Sequence, residues 1–246
     1  MSENKFKTQS DQYSFPYHYI PISSKEDYSD LVISRRMDWG LEYLFILDSV
    51  AKRVCDGSSV LDVGCGDGRL YSRLGLSLNT FQYLGIDLDK QPIDLANAIN
   101  PDGKFISGSI FELEGSYDFL TMVEVLEHIP DEQVDDFLTT LKKNMHSDSK
   151  LIITVPSTLR KLHKKHYRHY DMDLLSEQLL RNGFEIVEMQ NCYCETKLSS
   201  FITKLYSNSF YTINNAFLKK IILKLVLRIA KRNQNGAHLL CTASVK

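Results

Sequence analysis

The run SSVLDVGCGDGRL, Ser58 to Leu70, constrains this chain more than any other stretch. A short β-branched segment, Ser59 to Val63, passes directly into Gly64, Gly66 and Gly68 and then into a helical pattern, which marks a βα unit. Glycines at such a turn accept positive φ and let a ligand approach the bare backbone. The spacing is GxGxG and not the GxGxxG of a dinucleotide turn, and an acid, Asp62, stands just before the first glycine, which argues against NAD. The next strand, FQYLGID, ends on Asp87. A carboxylate there can accept hydrogen bonds from both hydroxyls of a ribose, and bonds to a charged acceptor are the strong kind. An adenosine-type cofactor fits.

The alternation continues along the chain: KQPIDLANAIN reads as a helix, KFISGS and YDFLTMVEV as strands, and DEQVDDFLTTLKKNM as a helix. KLIITVP is then a strand, DMDLLSEQLLRNGF a helix, FEIVEMQNC a strand, and AHLLCTASV, Ala237 to Val245, the last strand. Strands alternating with helices imply right-handed crossovers and a parallel sheet buried on both faces. Ahead of this core, apolar positions from Tyr28 to Val54 recur at helical spacing. Residues 1–57 are thus expected to form an extension and helical lid, and 58–246 one α/β domain carrying a helical insertion over 193–235. In the extension, prolines hold SFPYHYIP extended. Its aromatic residues make Tyr13 and Tyr17 candidate lid residues, with Arg36 and Trp39 beside them.

With 246 residues, 43% hydrophobic and 24% charged, the chain can bury one sizeable core. A net charge of -2 gives no general reason to expect nucleic acid. The five cysteines show no CxxC pair or zinc spacing and read as reduced thiols. The polar N-terminus lacks a signal-peptide core, and no apolar run reaches the ~20 residues of a membrane span, so a soluble cytoplasmic protein is expected. One segment departs from this picture. In NAFLKKIILKLVLRIAKR, basic residues recur every three or four positions among Ile, Leu and Val, giving a cationic amphipathic helix over about 217–232. It can lie on an anionic membrane surface or dock its apolar side on the core.

Taken together, VLDVGCGDGR, YLGIDLD, YDFLTMVEVLEHI and LIITVP resemble the class I S-adenosylmethionine-dependent methyltransferases, in the right order from Ser58 to Phe184. The resemblance implies a Rossmann-like seven-stranded sheet of order 3-2-1-4-5-7-6 with the last strand antiparallel, and S-adenosylmethionine lying over Gly64, Gly66 and Gly68. It implies that Asp62 and Glu124 border the cofactor, Asp87 holds its ribose and Leu88 lies against its adenine. Relatives often carry an acid that meets the adenine amino group; here Ser109 and Ile110 occupy that place.

The strand at Tyr117 ends in TMVEVLEHIPDE, which gathers Glu124, Glu127 and His128 at the carboxyl end of the sheet, where ligands of open α/β folds bind. Three readings stand: a polar pocket wall, His128 as general base on an acceptor hydroxyl, or a divalent metal site. EVLEHIPD closely resembles ubiquinone-pathway O-methyltransferases. The ExxEH pattern also resembles RNA 2′-O-methyltransferases that hold a metal with a later histidine, for which HKKHYRHYDMD offers His166 or His169. The same stretch resembles an H-x-R-H-[FY] element of bacterial glycan and small-molecule methyltransferases, which implies that Arg168 and His169 shape an acceptor pocket and Asp171 caps the next helix. The expected activity is O-methylation of a glycan or small metabolite, with Glu124, His128 and His169 as catalytic candidates and Glu124, Glu127, His128 and His169 as metal candidates. Metal-assisted methylation of RNA ends and a non-catalytic, partner-activating subunit are the alternatives.

Overall fold

A computed structural model describes Lys7, Lys25 and residues 37–246 other than 209, 214 and 233. Seven strands form one sheet: β1 (Ser59–Val63), β2 (Gln82–Asp87), β3 (Phe105–Ser107), β4 (Tyr117–Val123), β5 (Met145–Pro156), β6 (Phe184–Cys194) and β7 (Gly236–Val245). Their order is β3-β2-β1-β4-β5-β7-β6. The pairs from β3 to β5 are parallel, and β7 runs antiparallel to both β5 and β6. This is the expected topology. It brings the carboxyl ends of β1, β2 and β4 together at one edge.

Residue alternation explains how the sheet is covered. On β5, Leu151, Ile153 and Val155 join one core cluster while Ile152 joins the other; on β7, Leu239, Cys241 and Ala243 oppose Leu240 in the same way. A period of two is what a strand buried on both faces requires. One face is closed by α4 (Val134–Lys142) and α5 (Met172–Arg181). The other is closed by α1 (Met37–Ala51), α2 (Arg69–Ser77) and the inserted helices α6 (Lys197–Tyr206) and α7 (Ala216–Ala230). The remaining helix, α3 (Lys90–Ile99), packs Ile93 and Ala96 against Phe105 at the β3 edge.

Boundaries differ from the sequence reading where polar residues disguise backbone pairing. The β5 strand begins at Met145, through HSDSK, because Met145 pairs with Tyr117 ahead of a register shift. The expected helix over DEQVDDF opens instead as a 3-10 turn, Asp131–Gln133. Asp171 caps α5 as expected, accepting from the Leu174 N–H at 2.8 Å. Of the lid candidates, Tyr13, Tyr17 and Arg36 lie outside the described residues, as does the Trp39 side chain, whose backbone belongs to α1.

Candidate active site

The turn after β1 is a backbone cradle. Gly64, Gly66 and Gly68 have φ of 73, 53 and 75 degrees, where side chains are strained. A Cβ on Gly64 would sit 2.5 Å from Val125 Cγ2, so this glycine lets the turn lie flush against the segment that follows β4. We expect Gly64→Ala to destabilise the fold by about 1–3 kcal/mol and to weaken S-adenosylhomocysteine binding. Gly75→Ala, in α2 with nothing within 4 Å, should stabilise by about 0.5–1 kcal/mol. Thermal melts and calorimetry compare the two; equal effects would show that the Gly64 conformation is not required.

Asp87 joins this cradle through its carboxylate, which accepts the Gly66 N–H at 3.0 Å on Oδ2 and the Asp89 N–H at 3.0 Å on Oδ1. Burial raises its pKa, and these N–H groups oppose the rise. Each oxygen retains acceptor capacity, as a vicinal diol requires. Beside it the Leu88 side chain is 63% exposed, an apolar surface offered to a flat ring. Two expected cofactor contacts are redirected. The Asp62 carboxylate is buried, with Oδ1 accepting from Thr121 and Oδ2 from Tyr83, so it ties β1 to β4 and β2 rather than facing ligand. The Ser109 hydroxyl accepts from Phe111 N–H, capping the turn Ile110–Glu112; the Ile110 side chain is in the core, which does not bear on the adenine contact expected of its backbone.

Across the cradle, the residue after β4, Glu124, is in a left-handed conformation, φ 57 degrees, uncommon for a residue with a side chain. Its N–H still reaches the Thr154 carbonyl of β5, and the bend turns its carboxylate toward β7. There Oε2 lies 2.9 Å from Nδ1 of His238. The other ring nitrogen of His238 meets Glu42 of α1, which also bridges to Arg160 at 2.7 Å; Arg160 in turn meets Glu195 at 3.0 Å. Burial disfavours charge on His238, but Glu124 and Glu42 outweigh it and push its pKa up to about 10. Burial would likewise raise Glu124, yet the imidazolium holds it below its ordinary value. Glu124 Oε1 is buried without a hydrogen-bond partner. His238 is thus a site residue that the sequence reading missed.

The 3-10 turn Leu126–His128 carries the rest of the EVLEH motif. Glu127 is 1% exposed and neither of its oxygens has a hydrogen-bond partner, so burial, reinforced by the charge of Glu124, raises its pKa well above the usual range. Ligand atoms of Glu127, His128 and His166 lie within 4.8 Å of one another. Glu124 and His169 are not in this set, a correction to the expected metal ligands. The Glu124 carboxylate is drawn to His238. His169 spans from the Arg160 carbonyl on Nδ1, 3.0 Å, to His166 Nδ1 on Nε2, 2.8 Å, so both of its nitrogens are engaged and it stands behind His166 rather than facing an acceptor.

These contacts fix tautomers. A carbonyl only accepts, so His169 donates from Nδ1 and accepts on Nε2; His166 then donates from Nδ1 and keeps Nε2 as its acceptor nitrogen. His128 reaches the Lys165 carbonyl through Nδ1 at 3.3 Å, leaving Nε2 3.8 Å from Glu127 Oε1. Burial lowers the pKa of His128 to about 4 and that of His166 to about 2, helped by neighbouring positive charge. Both rings are neutral at physiological pH. A conjugate acid near 4 makes His128 a weak proton acceptor for a hydroxyl, contrary to the base reading built on its unperturbed value. Arg168 also departs from its expected pocket role, because its guanidinium donates to the Leu126 and Ile129 carbonyls and to Asp131 and so clamps the Leu126–His128 turn.

A Rossmann-like sheet with this strand order, a glycine cradle and a carboxylate at the tip of β2 defines the class I S-adenosylmethionine-dependent methyltransferase fold. Residues 41–189, more than half of the chain, match the family model described as a methyltransferase domain, and the chain belongs to that family. Among curated relatives, a ubiquinone biosynthesis O-methyltransferase of Vibrio campbellii is 31% identical over 125 residues, 42% of this chain and 52% of that protein. Its counterpart from Vibrio parahaemolyticus is 37% identical over 83 residues, 30% of this chain and 34% of that protein. The chain therefore spans a third to a half of the relatives it matches. Among solved structures, magnesium protoporphyrin IX methyltransferase from Synechocystis with bound S-adenosylmethionine superposes with a TM-score of 0.61 at 17% identity, covering 98% of this chain and 97% of that one.

Proposed function

We propose that this protein transfers the methyl group of S-adenosylmethionine to a hydroxyl oxygen of a small metabolite or glycan. The observation that carries the reading is the position of the Glu127, His128 and His166 cluster beside the glycine cradle, joined to it through Val125 against Gly64. The matched curated relatives are O-methyltransferases by name, which supports oxygen as the acceptor atom. Methyl transfer from a sulfonium is an in-line displacement, so the protein's work is to hold both reactants, exclude water and take the hydroxyl proton. Asp87 and the Gly66 backbone position the donor. Burial raises the Glu127 pKa, so this carboxyl holds a proton more readily than an exposed one.

One carboxylate and two neutral imidazoles are also a donor set for a divalent transition ion, and two orphaned buried carboxylate oxygens fit such a group. When bound, it supplies Lewis acidity at the acceptor oxygen. Glu127, His128 and His166 would hold it, with His169 orienting His166 from behind in the manner of an outer-shell partner.

Two experiments test these readings. Labelled S-adenosylmethionine incubated with native extract, separated into RNA and small-molecule fractions, is expected to give a labelled methyl ether in the small-molecule fraction; label only in RNA, or none, overturns the acceptor class. Elemental analysis of purified protein is expected to find one divalent ion in the wild type and at least tenfold less in Glu127→Gln and His166→Asn. Activity that survives chelation while His128→Ala is inactive would remove the ion from the mechanism.

A further inference from the structure

The sequence posed core docking and membrane contact as alternatives for α7, and the helix carries residues for both. Ile222, Leu223 and Val226 are buried in the core cluster shared with α1 and the sheet, and Ile229 is buried on the same side. A second apolar strip, Phe217, Ile221 and Leu225, is exposed on the opposite side, at the spacing that aligns residues along one helix face. Helix α6 repeats the design. Its Tyr206 enters the core while Leu198, Phe201 and Leu205 face outward. At the turn between the helices, Phe210 is 95% exposed, with Phe217 at 76% and Phe201 at 63%. Aromatic rings in water at that level, in sequence across two helices and their connection, form a patch and not scattered surface residues.

Charge says what covers it. From Thr196 to Lys246 there is no Asp or Glu, while Lys197, Lys204, Lys220, Lys224, Arg228 and Lys231 recur through the hairpin. On α7, Lys220, Lys224 and Lys231 line one flank of the exposed apolar strip, and on α6, Lys197 and Lys204 do the same. The rest of the chain must therefore carry the acidic excess that makes the net charge -2, so the hairpin is a local cationic face on an acidic protein. Apolar rings beside a row of cations match the boundary between acyl chains and anionic headgroups. No helix among the described residues is long and apolar enough to cross a membrane, so contact is in the plane of the surface.

We propose that the α6–α7 hairpin docks this protein on an anionic lipid surface. A cleft of about 530 Å3, lined by Leu159, Arg160, Lys197, Phe201 and Lys204, connects the hairpin to the segment after β5. Arg160 is the residue that bridges to Glu42, the partner of His238, so docking would turn the ligand end of the sheet toward the bilayer.

The test is flotation of the full chain with vesicles of phosphatidylcholine alone or mixed with phosphatidylglycerol. Binding is expected only to the mixed vesicles, with at least a tenfold loss in Lys220→Glu/Lys224→Glu/Arg228→Glu and on raising the salt to ~1 M. Phe210→Ser/Phe217→Ser should also weaken it at least tenfold, with unchanged circular dichroism and S-adenosylhomocysteine affinity in both variants. Equal binding to both vesicle types, or none, overturns the proposal. So does a solution dimer, or retention on RNA, that the phenylalanine variant abolishes in a protein with no vesicle affinity.

Discussion

His238→Gln is expected to cost the fold about 3 kcal/mol, because it leaves two buried carboxylates facing each other with no cation between them. Glu42 retains Arg160, but Glu124 has no other ion pair among the described residues. The charged groups that face His238 come from four places: Glu42 on α1, Glu124 after β4, Arg160 after β5 and, through Arg160, Glu195 ahead of α6. The sign of the pH dependence follows. Folding raises His238 from its ordinary 6.5 to about 10, so the folded state binds the extra proton and its contribution is complete below about 6.5. It is lost as pH rises through about 10. Urea unfolding of wild type and His238→Gln should therefore show a wide gap at pH 6 that closes by pH 10; a gap of the same width at both would mean that the ring acts by packing and not by charge. Because Glu124 is held in a left-handed backbone conformation, the variant should lose methyl transfer even where it remains folded.

Which parts of this molecule could be read from its sequence follows from the distance over which each is encoded. The glycine cradle and Asp87 were legible because each lies within or directly after its own strand, and the alternating elements imply a parallel α/β sheet, while the strand order was legible only through the family resemblance. His238 was not. It lies 196 residues from Glu42, on a strand with no other ionisable side chain than a buried cysteine, and nothing near it in sequence signals a charged partner. The choice between His166 and His169 was illegible for a different reason: the segment between β5 and α5 is irregular, so spacing cannot say which ring faces Glu127. Hydrogen bonding decides it, with His169 tied to the Arg160 carbonyl. Arg168 was misread because a guanidinium beside a pocket motif suggests a ligand, whereas its donors are spent on carbonyls of the turn it clamps. Helix α7 is ambiguous in sequence for a simpler reason: basic residues every three or four positions among Ile, Leu and Val do not separate one apolar face from the two that the helix has.

Asp87→Ala is expected to lower S-adenosylhomocysteine affinity about a hundredfold, since two hydrogen bonds to a charged acceptor are removed and such bonds contribute about 1.5–3 kcal/mol each before compensation by water. The same carboxylate accepts the Gly66 N–H, so alanine also leaves a donor of the cradle unpaired and loosens the turn. Two controls separate these effects. Asp87→Asn retains an acceptor for Gly66 but loses the charge, and it should fall between wild type and alanine. A ligand lacking the ribose 2′-hydroxyl should bind wild type about tenfold more weakly than the parent and bind Asp87→Ala no more weakly than the parent, because the group that reads the hydroxyl is gone. Calorimetry of the four combinations gives the coupling directly. If Asp87→Ala discriminates against the deoxy ligand as strongly as wild type does, the carboxylate shapes the turn without touching the ribose, and the donor is held by the backbone of the cradle alone.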